Sequence, residues 1–458
     1  MQKDNEMENE DCLYLNVYTP IPPGEKTKLP VLIFIHGGGF VEGSSIFSQY
    51  GPHRFMTQDI VVVTFNYRLG PFGFLSTGDT VLLGNNGLKD QNLALKWVQQ
   101  NIDLFGGDRE KVTIYGQSAG AASVAYHMLS KKSSGLFRAA YLSSGSALCP
   151  FAYQRNASDY AHQLVSHIFG QDRSFESLSL RMFMTLASAK DIDVASGRIP
   201  EGVGNEQMIN GFFYAPVIEP EHPDAFITES MYESFLKGDF NKVPTFVGLN
   251  SNELYYMYLN PSFKEKVEDY ENPVSNLVID DFHIQDEQKK LECGKAIREI
   301  YSNGSLADDL KTAVDYFSDV GFSKSIIRTA EILGQYTDVY FYELTYELKL
   351  FNTSIPKPVI HGEDILYIWN DHTFQSKDNA RTSDRLIKLI TNFVKTLNPT
   401  PTKDELLDNV EVPKVKSNSF TYVDIGESLM IKENPKGDTY KKWKKVYEDF
   451  GVRPFDTY

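Results

Sequence analysis

The stretch "KVTIYGQSAGAASVAYHML", residues 111–129, passes from β-branched residues through a glycine-bracketed serine into small helix-forming residues. A five-residue G-x-S-x-G match occurs by accident roughly once in five to ten chains of this length, so the pentapeptide alone decides little. Its context decides more. A buried strand, a tight turn centred on Ser118 and an immediate helix form the nucleophile-elbow setting that the motif requires. Gly116 and Gly120 leave room where side chains would collide with strand and helix, and Ala119 and Ala121 keep the turn small.

A serine attacking an ester generates an oxyanion, which needs donors already in place. "HGGGF" (36–40) directly follows the apolar run "LPVLIFI". Its successive glycines let backbone N–H groups converge on one oxygen, with the N–H of Ala119 as a further donor. A phosphate cradle is the competing reading, and the absence of a following Lys-Ser or Lys-Thr weighs against it.

In this architecture the acid and the base follow the serine in that order. Glu253, in "VPTFVGLNSNELYYMY", comes just after the end of a buried strand, where catalytic groups of open α/β sheets gather. Spacing alone leaves it one of several acid candidates. Of nine histidines, His283, His361 and His372 lie past it. His361, in the proline-punctuated "PKPVIHGEDILYIW", is the natural loop-borne base, and the settings of the other two are less distinctive.

Further strand-like runs at 59–68, 139–145, 243–250 and 339–346 alternate with segments of helical periodicity such as 87–102 and 383–397. That alternation predicts an α/β chain with a mostly parallel central sheet and helices on both faces. There is no internal repeat, and residues 398–418 are the best loop candidate. A single domain over 1–458 is the expectation. Hydrophobic residues make up 41% and charged residues 23% of the 458, a globular composition.

The formal charge of −16 disfavours nucleic acid and anionic membranes as partners. No apolar run is long enough to span a membrane, and the start "MQKDNEMENE" lacks a signal-peptide pattern. Cys12, Cys149 and Cys293 show no metal spacing. No metal and no cofactor is expected. Sequons at Asn156, Asn303 and Asn352 would suit a secreted glycoprotein, which leaves secreted and cytoplasmic locations both open. Oligomeric state stays open.

With these residues assembled, the chain resembles the type-B carboxylesterase and cholinesterase family of α/β-hydrolases. The resemblance rests on "EDCLYLNVYTP" (10–20), "HGGGF", "FNYRLGPFGF" (65–74), "GNNGLKDQNLALKWVQQNI" (84–102), "FGGD" (105–108), "GQSAG" and "SGSALCP" (144–150), in the family's order and spacing. It implies Ser118 as nucleophile, Glu253 as acid, His361 as base, and Gly38, Gly39 and Ala119 as the oxyanion hole. It implies supporting roles for the Arg68–Asp90 ion pair and for Ser144 near the acid.

Family members carry a substantial stretch before "EDCLYLN", with a cysteine bridging to the equivalent of Cys12 and an arginine pairing with the equivalent of Glu10. The expectation is therefore a domain truncated at its N-terminus, with Cys12 a free thiol and Glu10 lacking that arginine. Leu254 and Pro358 stand where glycines are usual in the family. The resemblance implies a cofactor-free carboxylic-ester hydrolase acting on small lipophilic or xenobiotic esters, in the style of insect detoxifying esterases. Gln117 before the nucleophile points more narrowly to juvenile hormone esterases. Choline esters fit less well, since no tryptophan precedes Cys12 to hold a quaternary ammonium. The alternative from another class is a non-catalytic binding or adhesion member of the same fold.

Overall fold

The computed structural model describes residues 9–170, 175–197, 209–347, 357–369, 376–416 and 419–458. Nine strands form one sheet in the order β1-β3-β2-β4-β5-β6-β7-β8-β9. They are β1 (Leu15–Tyr18), β2 (Leu29–Ile35), β3 (Val61–Phe65), β4 (Gly107–Gln117), β5 (Ala139–Ser143), β6 (Thr245–Asn250), β7 (Val339–Leu344), β8 (Thr421–Ile425) and β9 (Leu429–Glu433). The outer pairs β1–β3 and β8–β9 are antiparallel, and every pairing between them is parallel.

The near-continuous apolar runs are explained by two covered faces. Along β2, Val31, Ile33 and Ile35 enter one core while Leu32 and Phe34 enter the other. The first core is closed by helices α1 (Asn86–Asn101), α2 (Ala119–Leu129), α4 (Lys324–Leu333) and α7 (Gly437–Phe450), through Leu95, Val124, Ile327 and Trp443 among others. The second is closed by α5 (Glu363–Ile368) and α6 (Lys377–Thr396), through Tyr367, Leu389 and Phe393. Aromatic rings run across this second face of the sheet. Tyr115 stacks on Tyr141 at 4.3 Å between centroids, and Tyr141 meets Phe246 at 5.2 Å.

The expected strands and the two helices all form with shifted ends: β4 extends from Gly107 to Gln117, and the helix expected over 383–397 already begins at Lys377. The run from 29 stops at Ile35 because His36–Gly39 turn out of the sheet, and the helix expected over 87–102 ends at Asn101, where Ile102 opens a 3-10 turn. Of the expected 398–418 loop, the described residues 398–416 contain a 3-10 turn, Glu405–Leu407, and an isolated bridge from Lys414 to Tyr340; residues 417 and 418 lie outside the described residues. Helix α3 (Leu310–Ser318) runs into a π-helical turn, Asp319–Ser323, and then into α4. Among the described residues no helix is long and apolar enough to cross a membrane.

Candidate active site

Ser118 sits between the last residue of β4 and the first of α2, with φ 59° and ψ −125°. A positive φ at a non-glycine residue costs about 1–3 kcal/mol and persists only where the surroundings impose it. They do so by backbone contact. A Cβ at Gly116 would lie 2.1 Å from the Gly120 carbonyl oxygen, one at Gly120 would lie 2.0 Å from the Ile35 carbonyl oxygen, and one at Gly145 would lie 2.3 Å from the Ser118 carbonyl oxygen. The Ser118 N–H donates to the Ser143 carbonyl at 2.9 Å, which ties the turn to the end of β5.

Glu253 follows β6 and is fully buried. Its Oε1 accepts from Ser144 Oγ at 2.7 Å and from the Asn250 N–H at 2.8 Å, and its Oε2 lies 2.8 Å from His361 Nδ1. Because a carboxylate only accepts, Nδ1 carries the proton, and the neutral imidazole presents Nε2 as an acceptor. That nitrogen lies 2.8 Å from Ser118 Oγ. The structure thus brings Ser118, His361 and Glu253 into one hydrogen-bonded line, with the geometry of a nucleophile, its base and the group that orients the base.

The loop bearing His361 is fastened by its backbone to the loop bearing Glu253. The His361 N–H donates to the Glu253 carbonyl at 2.9 Å and the Asn252 N–H to the Val359 carbonyl at 3.0 Å. Leu254 takes φ −108°, a conformation open to any residue, so the family's glycine is dispensable there. Phe322, on the π-helical turn, packs its ring 4.5 Å from the imidazole.

Gly38 and Gly39 adopt φ 106° and 59°, conformations that favour glycine. Their loop closes on Ser118, for a Cβ at the adjoining Gly37 would lie 2.9 Å from Ser118 Cβ. Ala119 opens α2, so its N–H is one of the unsatisfied donors at a helix start, where the helix dipole also favours negative charge. An apolar wall links His361 to this loop. Phe322 meets Phe151 at 5.0 Å, Phe151 meets Phe212 at 5.5 Å, and a Cβ at Gly39 would lie 3.4 Å from the Phe212 ring. Gln117 is 6% exposed, with its amide between Gly37 and Gly362.

Arg68 and Asp90 form a bidentate pair at 2.7 and 2.8 Å, but 41% of the Arg68 side chain is exposed, so solvent screens the pair. Of the rival histidines, His283 lies 3.6 Å from Asp456, away from this cluster, and His372 lies outside the described residues, as does Asn352. Cys12, Cys149 and Cys293 are free thiols. Among the described residues no group of three His, Cys, Asp or Glu side chains is arranged to hold a metal ion.

Several neighbours of the site escaped the sequence reading: Ser143, Asn250, Phe322 and Asp364. Ser143 and Asn250 end β5 and β6, and the position of strand ends was the available signal. Asp364 lies three residues past His361 and resembles any acid in a helix's first turn. Nothing local marks Phe322.

The sheet order, the elbow and the serine–histidine–glutamate line together define a serine hydrolase of the α/β-hydrolase fold. The chain belongs to the carboxylesterase family, whose members hydrolyse carboxylic esters through a serine acyl-enzyme, and the family's sequence pattern matches residues 1–443. It is 35% identical over 347 residues to a carboxylic ester hydrolase of Bombus ignitus, a match that takes in 73% of this chain and 60% of that protein's length. It is 31% identical to venom carboxylesterase-6 of Apis mellifera, over 96% of this chain and 80% of the relative. Among solved structures, juvenile hormone esterase from Manduca sexta with OTFP covalently attached superposes with a TM-score of 0.82 at 26% identity, covering 96% of this chain and 84% of the other.

Proposed function

We propose that this protein is a carboxylic-ester hydrolase in which Ser118 is the nucleophile, His361 the general base and Glu253 the group that orients it. The observation that carries this reading is the 2.8 Å contact of His361 with each of Ser118 Oγ and Glu253 Oε2. As Ser118 Oγ adds to the ester carbonyl carbon, its proton passes to His361 Nε2 and the carbonyl electron pair moves to the oxygen. That oxygen lies among the N–H groups of Gly38, Gly39 and Ala119. Removing one such donor in a serine hydrolase typically costs about 10²–10³ in kcat. The tetrahedral adduct collapses, the carbon–oxygen bond to the alcohol breaks, and Nε2 returns the proton to the departing alcohol. Water then attacks the acyl-enzyme by the same route and releases the acid. Glu253 stays ionised throughout and stabilises the imidazolium.

The buried chain of rings Phe322–Phe151–Phe212, which begins against the His361 imidazole, makes the surroundings of the site apolar and so supports lipophilic, xenobiotic-type esters as substrates. A narrower reading, a juvenile hormone esterase-like enzyme, is favoured by Gln117, whose amide stands beside the nucleophile. Hydrolysis of an α,β-unsaturated methyl ester at least tenfold faster than of a saturated analogue would support it, and equal rates would reject it.

The test of the main reading compares the protein with Ser118→Ala on a short-chain aryl ester and a fluorophosphonate probe. Turnover and labelling are expected in the first and absent in the second. A folded sample with neither refutes the proposal and leaves the binding or adhesion role.

A further inference from the structure

Asp364 is fully buried, three residues past His361, and the mechanism above does not use it. Its Oδ2 accepts from Ser143 Oγ at 2.6 Å, and its Oδ1 is reached by Asn250 Nδ2 at a longer 3.4 Å. Both partners also hold the reacting groups. The Ser143 carbonyl accepts from the Ser118 N–H at 2.9 Å. The Asn250 N–H donates to Glu253 Oε1 at 2.8 Å, and its side-chain amide donates to the Ile360 carbonyl, next to the base, at 2.9 Å. One carboxyl therefore gathers the ends of β5 and β6 and the base loop around a single point.

The charge around that point is lopsided. The groups that face Asp364 are the hydroxyl of Ser143 from β5, the amide of Asn250 from β6, the phenols of Tyr342, Tyr141, Tyr115 and Tyr50, the carboxylate of Glu253, and the imidazole of His361. Of these, only His361 can become a cation. Burial, and after it the neighbouring Glu253 carboxylate, push the Asp364 carboxyl upward, while the Ser143 hydroxyl, the His361 charge and the Asn250 amide oppose that push. Two buried carboxyl groups thus address one imidazole, and the imidazolium formed during acyl transfer is their shared counter-ion.

We infer that Asp364 is a positioning residue for the reaction: it holds Ser143 and Asn250 in register with the nucleophile and the acid, and its negative charge adds to that of Glu253 in stabilising protonated His361. The inference rests on the ester-hydrolase reading above. Its consequence is specific. Removing the Asp364 charge makes the imidazolium less favourable, so the acid limb of the kcat/KM profile moves to lower pH while kcat falls at the plateau. A merely structural role would lower the plateau and leave the limb where it is.

The experiment records pH profiles for the protein, Asp364→Asn and Ser143→Ala on an aryl ester, with thermal unfolding of each. Asp364→Asn is expected to move the acid limb downward by about half a pH unit or more and to lower plateau kcat about tenfold. Ser143→Ala, which weakens the stabilisation of the same charge, is expected to shift the limb less and in the same direction. If Asp364→Asn does not fold, Ser143→Ala decides alone. A limb that stays in place in the folded variants overturns the inference, whatever happens to the plateau. Failure of the unsubstituted, folded protein to hydrolyse the ester refutes the ester-hydrolase reading instead.

Discussion

Gly120→Ala isolates the dependence of the site on backbone contact. The added methyl carbon would lie 2.0 Å from the Ile35 carbonyl oxygen and 2.8 Å from that of His36, where no real carbon approaches within 3.0 Å. The first contact alone demands a displacement of about 1 Å, and both sides of it are main chain, so no rotamer change relieves it. Overpacking of this kind costs about 1–3 kcal/mol, and the rigidity of both partners places this case at the upper end. The displacement has one direction open to it. It separates the end of β2, which leads into Gly38 and Gly39, from the start of α2, which carries Ala119. The three proposed oxyanion donors divide between these two elements, and a misplacement of about 1 Å is worth roughly 10² in rate. Gly120→Ala is therefore expected to lose at least 100-fold in kcat/KM on an aryl ester and about 3 kcal/mol of stability in denaturant unfolding. Gly24→Ala is the control. Unlike Gly120 it has a positive φ, but a Cβ there meets nothing within 4 Å, so a small loss of stability and unchanged kinetics are expected. Gly120→Ala activity within threefold of the parent protein, with unchanged unfolding, would refute the argument.

Ser144→Ala removes a charge-assisted hydrogen bond to the buried Glu253; it is expected to lower kcat about 10- to 100-fold, and an unchanged kcat would show that the Asn250 N–H suffices. Phe322→Ala is expected to cost about 3–5 kcal/mol of stability and to lower kcat, since the ring packs on the base; calorimetry and steady-state kinetics check the two separately. Burial pushes the His36 and His127 imidazoles down to about 4 and about 3. Between those values and the ordinary value near 6.5, the unfolded chain binds protons that the folded chain refuses. Their stabilising contribution is therefore complete above about pH 6.5 and is lost as pH falls, by about 1.4 kcal/mol per unit for each imidazole. Denaturant unfolding of His127→Gln at pH 7, 6 and 5 should show a slope shallower by about one proton, and a slope equal to the parent's would contradict the burial argument. Thiol titration of the unfolded, unreduced chain should count three thiols, and fewer would reveal a disulfide.

The parts of this architecture that could be read from the sequence are those whose chemistry is local. β2 through β7 announce themselves because the parts of strands buried on both faces are near-continuously apolar, and the elbow because two glycines are obligatory around Ser118; the charged start of β4, Asp108–Lys111, escapes that pattern. β1, β8 and β9 lie at the sheet's margins, where that pressure lapses. In β9 only Leu429 is buried, and the following four residues are exposed, so neither a continuous nor an alternating pattern survives. The same distinction runs through the site. Ser118 and the glycine loop carry local signatures and His361 stands out by its proline-punctuated loop, whereas Glu253 needed the family resemblance to be singled out among ordinary acids. Asp364 and Asn250 act through partners more than 100 positions away, a relation that no window of sequence displays.

The fastening of the base loop to the acid loop has a bearing on how this molecule tolerates change. The bonds at His361–Glu253 and Asn252–Val359 are main chain to main chain, and Val359 is further held by Ser251 Oγ. Such a clasp is indifferent to side-chain identity, so Pro358 occupies a family glycine position without moving the imidazole. The aim of Nε2 thus rests on the main chain of residues 252, 253, 359 and 361, so side-chain exchange at position 358 can accumulate during divergence, or be introduced by design, without re-aiming it.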